Sequence, residues 1–374
     1  MALATVPQTG VNRPQSSSRL GQGMQFSRPG PADAVTPGAR AVWKQANMAP
    51  AKTMKKTAAA FALALSAGLA LAGIVRAEQK QLSIGTGDPG GVYFPLGGAI
   101  ASVLAKALPK LHATVEVTGG SVDNIKLIAT GQSDLGFTMA DAAMDAMQGH
   151  DKFRNNKIAL QTLLVVYPNR MHVVTIEGTG IESLADLKGK RVSTGSPGSA
   201  TEIMASRVIE AVGLDKDKDM RRERLGVAES VNAITDRRID AFFWVGGIPT
   251  AAISSLATTA GVKMKLIDHA DVAEKMNERY GKLYSRSRIK GGAYPGYKTD
   301  CDVVEVWNLI VTGNRMSDED AYTIAKTLVE KKADIVKVHK EAESFALDNQ
   351  VQDRSPVPFH PGALKYFKEK GVGG

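Results

Sequence analysis

Short apolar runs alternate with amphipathic stretches along the chain after Gln79. The run LSIG predicts a first strand, and apolar residues at helical spacing from Pro95 onward predict a helix that begins there. The runs ATVEVT and SDLGFT predict two more strands, and Ser121 and Asp141 are expected to cap the helices that follow them. Strands that alternate with helices in this way indicate an α/β fold.

The same order of elements recurs from about residue 190 onward. RVSTG, ERLGV and IDAFFWV predict strands, TEIMASRVIEAVGL predicts a helix, and a second helix is expected between about Glu229 and Thr235. Thr86-Gly87 aligns with Thr194-Gly195, and Asp134-Leu135 aligns with Asp240-Ala241. The sequence therefore predicts two related α/β lobes.

Two extended runs are the expected connectors between these lobes. They are VVYPNRMHVVT (165–175) and TDCDVVEVWNLIVT (299–312), and the second is rich in β-branched residues. We expect the first lobe to contain residues 80–172 plus about 300–374, and the second lobe to contain about 173–299. The chain is expected to turn helical from Asp318.

The beginning of the chain has the pattern of an export signal. The positively charged segment Met54-Lys55-Lys56 precedes an apolar run. Val75 and Ala77 supply the small residues that signal peptidase requires just before a cleavage after Ala77. The alternative is a membrane anchor, but the run is short and rich in alanine. Residues 54–77 are therefore expected to be a signal peptide that directs the protein to the periplasm. Residues 1–53 are expected to be a disordered extension, produced by a start codon placed upstream of the true one.

Composition agrees with a globular exported protein. The 374 residues are 43% hydrophobic and 23% charged, and their formal net charge is +9. Most of this excess lies before residue 78, so the remaining chain is nearly balanced and gives no argument for nucleic-acid binding. The single cysteine, Cys301, excludes an internal disulfide. A monomer is expected.

Gly85, Gly87 and Gly90 have the spacing of a dinucleotide-binding loop. However, the predicted helix begins about five residues too late, and the second strand does not end in an acidic residue. Neither the histidines nor the serines show the spacing of a metal site or of a nucleophile elbow. We therefore expect no cofactor, no metal and no enzymatic activity.

Two glycine loops stand at predicted helix starts, TGDPGGVYFP in the first lobe and TGSPGSAT in the second. A third helix start, GGSVDN, lies in the first lobe. Backbone N–H groups at a helix start are unpaired and favour anions, and glycine allows a ligand to approach them. Each loop alone is also explained as an ordinary turn. Together they predict a cleft between the lobes that binds a small carboxylate.

The chain resembles the TAXI-type solute-binding proteins of TRAP transporters over essentially all of residues 80–374. The segments that carry the resemblance are IGTGDPGGVYFPLGGAIA, TGGSVDNIKLIATGQSDLGFTMADAA, IESLADLKGKRVSTGSPGSATEIMA, IDAFFWVGGIP, GGAYPGY and HPGALKYFKEKG. The resemblance implies a two-lobed type II periplasmic-binding fold. It also implies capture of a glutamate-like or glutamine-like amino acid or a dicarboxylate, and delivery to a TRAP membrane permease.

The resemblance also implies a set of ligand-binding residues, spread over both lobes. They are Thr86, Gly87, Gly91, Val92, Tyr93, Ser121 and Asn124 in the first lobe, and Ser196, Gly198, Ser199, Ala200, Thr201 and Gly246 in the second. Asp88 departs from the small residues that the family typically has at this position. It would repel a second carboxylate, contact a ligand ammonium or cap the turn. Trp244 is expected either to extend the cleft or to lie in the core.

Alternatives remain for the partner and for the charged surface. A binding protein of an ABC importer or a sensory receptor would share the fold, and an exported enzyme would turn its substrate over. Arg237-Arg238 and Lys188-Lys190 are candidate contacts for a permease. Arg221, Arg222 and Arg224 are expected to form a solvated face.

Overall fold

The computed structural model describes residues 79–372, so the predicted extension (1–53) and signal peptide (54–77) lie outside the described residues. This part of the chain forms ten strands and ten helices. The strands are β1 (Lys80–Gly85), β2 (Leu111–Glu116), β3 (Leu135–Met139), β4 (Gln161–Ile176), β5 (Arg191–Ser193), β6 (Arg221–Glu223), β7 (Ala241–Gly246), β8 (Met264–Leu266), β9 (Tyr284–Ile289) and β10 (Cys301–Thr312). The helices are α1 (Tyr93–Ala107), α2 (Ser121–Thr130), α3 (Ala140–Gln148), α4 (Ala200–Ala211), α5 (Val227–Thr235), α6 (Ala251–Thr258), α7 (Ala273–Tyr280), α8 (Asp318–Glu330), α9 (Lys332–Val336) and α10 (Pro361–Glu369).

The described strands form one sheet with two similar halves. Their order is β2-β1-β3-β10-β4-β7-β5-β6, with β8 beside β4 and β9 beside β10. β1 lies parallel to β2 and β3, and β5 lies parallel to β6 and β7. An antiparallel strand follows each trio, β10 after β3 and β4 after β7. We call the β2-β1-β3 side the first half and the β6-β5-β7 side the second half. The predicted α/β, two-lobed type II periplasmic-binding fold is confirmed.

β4 and β10 are the two longest strands, and both run through the two halves. β4 pairs with β10 up to Arg170 and with β7 from Arg170 onward. β10 pairs first with β9 and then, from Asn308, with β3. β4 is buried along nearly its whole length, which explains its almost continuous apolar run. The predicted boundaries of the lobes stay predictions.

Three helix starts differ from the sequence predictions. α1 begins at Tyr93, two residues before Pro95, and proline is tolerated there because first-turn N–H groups have no intrahelical partner. Ser121 does not cap α2: it is the first helical residue, and its hydroxyl accepts a hydrogen bond from the Met139 N–H instead. Asp141 is the second residue of α3, whose cap is Met139.

The solvated face predicted around β6 is confirmed for Arg221 and Arg224, which are exposed, but not for Arg222, which is largely buried. β6 spans Arg221–Glu223 and ends before the predicted LGV part of the strand. Arg222 and Arg224 bind the carboxylate of Glu202, at 2.5 Å and 2.7 Å. Glu202 lies on α4 and is only 1% exposed. Burial would raise its pKa, but the hydrogen bonds and charges of Lys152 and Arg224 lower the pKa below its ordinary value.

Two apolar clusters form the core of the described residues. The larger cluster includes β1, β3 and much of β4 and β10, and the smaller one lies in the second half around Phe242, Ile253 and Cys301. Cys301 is a free, buried thiol, and burial raises its pKa. Between residues 79 and 372, no helix is both long and apolar enough to cross a membrane.

Candidate functional site

A cavity lies where the loops of the first half meet those of the second half. Most of the residues predicted for the ligand site line it. They are Gly87, Asp88, Gly91, Val92, Tyr93, Ser121, Ser196, Ser199, Ala200, Thr201, Trp244 and Gly246. The structure thus brings together predicted residues that are more than 150 positions apart in the chain. Their role in binding a ligand stays a prediction.

Three predicted site residues lie behind the lining of the cavity. Thr86 and Asn124 are fully buried, and the Asn124 amide donates to the carbonyls of Thr86 and Phe137, at 2.7 Å and 2.8 Å. Asn124 therefore ties α2 to the ends of β1 and β3. Gly198 contacts the opposite loop through its carbonyl. These residues position the loops that line the cavity.

The second-half loop TGSPGSAT touches the first half at the helix start GGSVDN. The N–H groups of Val122 and Asp123 donate to the Gly198 carbonyl, at 3.0 Å and 3.1 Å. The Ser196 hydroxyl donates to the Gly119 carbonyl at 3.1 Å. The two predicted glycine loops, TGDPGGVYFP and TGSPGSAT, line the same cavity, but no hydrogen bond joins them among the described residues. A fourth bond, from the Ala252 N–H to the Gly90 carbonyl, joins the halves further along the same face.

Three helices begin at the cavity, and the N–H groups of Val122 and Asp123 in the first turn of α2 already bind the Gly198 carbonyl. The three helices are α1, α2 and α4, and each is at least ten residues long. Ser199 caps α4, since its hydroxyl accepts from the Glu202 N–H at 3.2 Å. Gly120 precedes α2 with φ at 119°, a conformation that side-chain-bearing residues avoid. The cavity is therefore surrounded by the partial positive charges of helix N-termini.

Tyr167 also lines the cavity, and the sequence analysis did not select it. It lies on β4, is 0% exposed, and its hydroxyl has no hydrogen-bond partner among the described residues. Burial raises the pKa of this phenol well above its ordinary value, so the hydroxyl keeps its proton. A buried hydroxyl without a partner is costly, and the Tyr167 side chain is among those that line the cavity.

A cluster of polar side chains contacts the hydroxyl of Tyr93, which lines the cavity. The Tyr93 hydroxyl bonds to the Asn308 side chain, and Asn169 donates to the same oxygen at 2.7 Å. The Tyr93 ring stacks on Phe137 with centroids 4.9 Å apart. Burial raises the pKa of Tyr93, so it is a neutral phenol. Tyr93 is therefore fixed at both ends, as expected of a residue that shapes a preformed site.

Trp244 combines both roles that the sequence left open. It lines the cavity, is half-buried, and packs against the smaller apolar cluster. Its indole N–H donates to the Thr250 hydroxyl at 2.9 Å. A side chain on Gly246 would lie 2.4 Å from the indole nitrogen, so glycine at this position makes room for the ring.

Asp88 is the only charged residue that lines the cavity in the described part of the chain. One oxygen of its carboxylate accepts from the Gly90 N–H at 2.7 Å, which is the turn-capping role left open by the sequence. The other oxygen faces Gly226 in the second half. Residues 79–372 contain no group of three or more potential metal-binding side chains. The cavity thus offers neutral donors and one carboxylate.

Replacing Tyr167 by phenylalanine should separate ligand binding from stability. No hydrogen bond is lost within the described protein, so the unliganded variant is expected to be as stable as the wild type, or about 1 kcal/mol more stable. Affinity for the ligand that co-purifies with the wild type is expected to fall about tenfold. Urea denaturation and titration calorimetry measure the two effects.

Tyr284→Phe is the matched control, because the Tyr284 hydroxyl bonds to Arg207 and Asp141. That variant is expected to lose stability. A comparable loss in Tyr167→Phe would mean that the Tyr167 hydroxyl has a structural partner and is not reserved for a ligand.

Comparisons with known proteins support these observations at the level of family. A family model described as "NMT1-like family" matches residues 84–371. Periplasmic binding protein BugD is similar in structure, with a TM-score of 0.49, 13% identity, and coverage of 79% of this chain and 98% of that one. The aliphatic sulphonate binding protein SsuA from Escherichia coli has a TM-score of 0.42 and 17% identity, covering 78% and 90%. These TM-scores lie below 0.5, so the description of the fold rests on the strand order of the chain itself.

Proposed function

This chain belongs to the NMT1-like family, and from that premise we propose that it is a periplasmic solute-binding protein that captures a small carboxylate. One observation carries the proposal: glycine-rich segments from similar halves of the sheet line one cavity, and two of them, GGSVDN and TGSPGSAT, bond to each other. A ligand held between them contacts both halves at once. Such a ligand stabilises the closed arrangement over an open one.

The donors around the cavity support a carboxylate as the recognised group. The starts of α1 and α4 supply N–H groups, and Ser121 and Tyr167 supply hydroxyls. Neutral donors that are already in place bind an anion without the cost of burying a cation. We propose glutamate-like or glutamine-like amino acids and dicarboxylates as the candidate ligands.

Delivery to a TRAP membrane permease is the proposed next step. It is supported by the resemblance of residues 80–374 to TAXI-type proteins and by the signal peptide predicted at 54–77. The chain would act as a monomer after cleavage behind Ala77, with Lys188, Lys190 and Arg237-Arg238 as candidate permease contacts. No catalytic step is proposed, because none of the serine or threonine hydroxyls that line the cavity among the described residues is hydrogen-bonded to the Asp88 carboxylate.

Mass spectrometry of the ligand released from purified protein tests the proposal. Denaturation is expected to release one small carboxylate unchanged, and adding it back to refolded protein should reduce the radius of gyration in X-ray scattering. An enzyme would release a converted product instead. If no tested carboxylate, amino acid or dicarboxylate binds or compacts the protein, the proposed function is wrong.

A further inference from the structure

The charge of the cavity restricts which carboxylates it accepts. Among the described residues that line it, Asp88 is charged and none is a lysine, arginine or histidine. None of the ion pairs within residues 79–372 includes Asp88. A dicarboxylate would therefore bring two more negative charges to a partly enclosed carboxylate, and repulsion is strong where water is excluded.

The Asp88 carboxylate has one oxygen free for a ligand. Its first oxygen is held by the Gly90 N–H at 2.7 Å, which fixes the side chain. Its second oxygen points across the cavity, so closely toward Gly226 that a side chain there would lie 2.3 Å from it. This oxygen is thus fixed in place between the two halves. An ammonium group is the ligand chemistry that pairs with it.

The buried Tyr167 hydroxyl places the opposite requirement on the ligand: it needs a hydrogen-bond acceptor, whereas Asp88 needs a donor. Tyr167 is 0% exposed, its hydroxyl has no partner among the described residues, and it lines the same cavity as Asp88. Since its pKa is raised by burial, it offers a proton to an acceptor such as a carboxylate. The start of α4 adds backbone N–H donors to the lining of the same cavity.

The remaining wall is apolar. Met139, Leu225, Val227 and the Trp244 ring line the cavity without adding charge. A ligand side chain that carries a second carboxylate would meet no cation among these described residues. A neutral ligand side chain meets no electrostatic penalty at this wall, and burial of an apolar ligand side chain there stabilises the complex.

We propose that the cavity selects a neutral α-amino acid, whose ammonium binds Asp88 and whose carboxylate binds Tyr167 and the helix starts. This inference rests on the proposed function and narrows it: among small carboxylates, zwitterions with uncharged side chains are favoured over glutamate and over dicarboxylates. Asp88 is then the residue that sets this specificity.

Titration calorimetry on ligand-free, refolded wild type tests the inference with four kinds of probe. These are the neutral L-amino acids, L-glutamate, succinate, and 4-methylpentanoate, which is leucine without its ammonium. The best neutral amino acid is expected to bind about 100-fold more tightly than succinate, and leucine to bind more tightly than 4-methylpentanoate. Tighter binding of succinate or glutamate than of any neutral amino acid overturns the inference but leaves the proposed function standing. Binding of none of these carboxylates overturns the proposed function itself.

The variant Asp88→Asn tests the role of the carboxylate. Asparagine keeps an oxygen for the Gly90 N–H, so the fold should be retained, as circular dichroism and thermal melting can verify. Affinity for the best neutral amino acid is expected to fall about 30-fold, while succinate binds no more weakly than before. Asp236→Asn removes the same charge from an exposed site and should change neither affinity. Equal weakening of both ligands in Asp88→Asn contradicts the assignment.

Discussion

Gly119→Ala is expected to weaken ligand binding about 100-fold while the unliganded protein remains folded. A side chain on Gly119 would lie 2.4 Å from the Pro197 carbonyl oxygen in the opposite loop. Backbone atoms of a packed loop cannot move aside cheaply, so the two loops must separate. The φ of Gly119 is outside the left-handed region, so alanine fits its backbone conformation and the effect arises from the contact.

The size of the effect follows from the bonds that join the two loops. Separation breaks the Ser196–Gly119 bond and the two bonds from Val122 and Asp123 to Gly198. At about 1 kcal/mol for each hydrogen bond, the closed arrangement loses about 3 kcal/mol. Because every 1.4 kcal/mol is a factor of ten in affinity, the dissociation constant rises about 100-fold.

Gly98→Ala is the matched control for this prediction. Gly98 lies within α1, and a side chain there would meet no atom within 4 Å. Alanine is expected to leave affinity unchanged and to stabilise the helix by about 0.5–1 kcal/mol. Calorimetry and X-ray scattering on both variants measure binding and compaction. Wild-type affinity in Gly119→Ala would show that ligand binding does not require contact between the loops.

The sequence predicted the fold because its signals are local and repeated. The order of strand, glycine loop and helix occurs twice, and each element carries its own periodicity. The glycine-rich segments were also recognisable, because three of them stand at predicted helix starts, although each alone is explained as an ordinary turn or cap. The start of α1 was misplaced because Pro95 is favourable at the first helical position, yet it is tolerated at the third.

The parts that sequence did not predict depend on contacts between distant residues. Nothing in the run VVYPNR distinguishes a tyrosine at a cavity from one in the core, and only the arrangement of β4 beneath both loops decides it. Arg222 looks solvated in the sequence because charged residues usually are. Its partner Glu202 lies on another element, and burial of that carboxylate is visible only in the fold.

A buried ionic cluster between α3 and α4 gives the largest expected effect on stability. Arg207 is 4% exposed, and its guanidinium contacts Asp145 at 2.5 Å and the Tyr284 hydroxyl at 2.7 Å. Asp141 lies 3.9 Å from it and accepts a bond from Tyr284. The guanidinium also lies 4.3 Å from the centre of the Tyr280 ring. One buried cation thus balances two buried carboxylates.

Arg207→Met is expected to lower the free energy of unfolding by about 3–5 kcal/mol at pH 8, because it leaves two carboxylates buried without a cation. Arg279→Met is the matched control: Arg279 lies near the same Tyr280 ring but is 61% exposed. An exposed ion pair contributes little, so that variant should lose no more than about 1 kcal/mol. Urea denaturation of the two variants measures the difference.

The pH dependence of the stability lost in Arg207→Met identifies the cause of that loss. Burial raises the pKa of Asp141 from 3.8 to about 6, and the charge of Arg207 opposes this rise. Between pH 3.8 and about 6, Asp141 therefore holds a proton in the folded protein that it releases in the unfolded chain. The stability that Asp141 contributes is fully present below pH 3.8 and is lost as the pH rises through about 6. Without Arg207 the pKa values of Asp141 and Asp145 rise further, so this loss extends to higher pH. The destabilisation by Arg207→Met should then be larger at pH 8 than at pH 4.5, whereas an equal loss at both would assign it to lost packing of the arginine side chain.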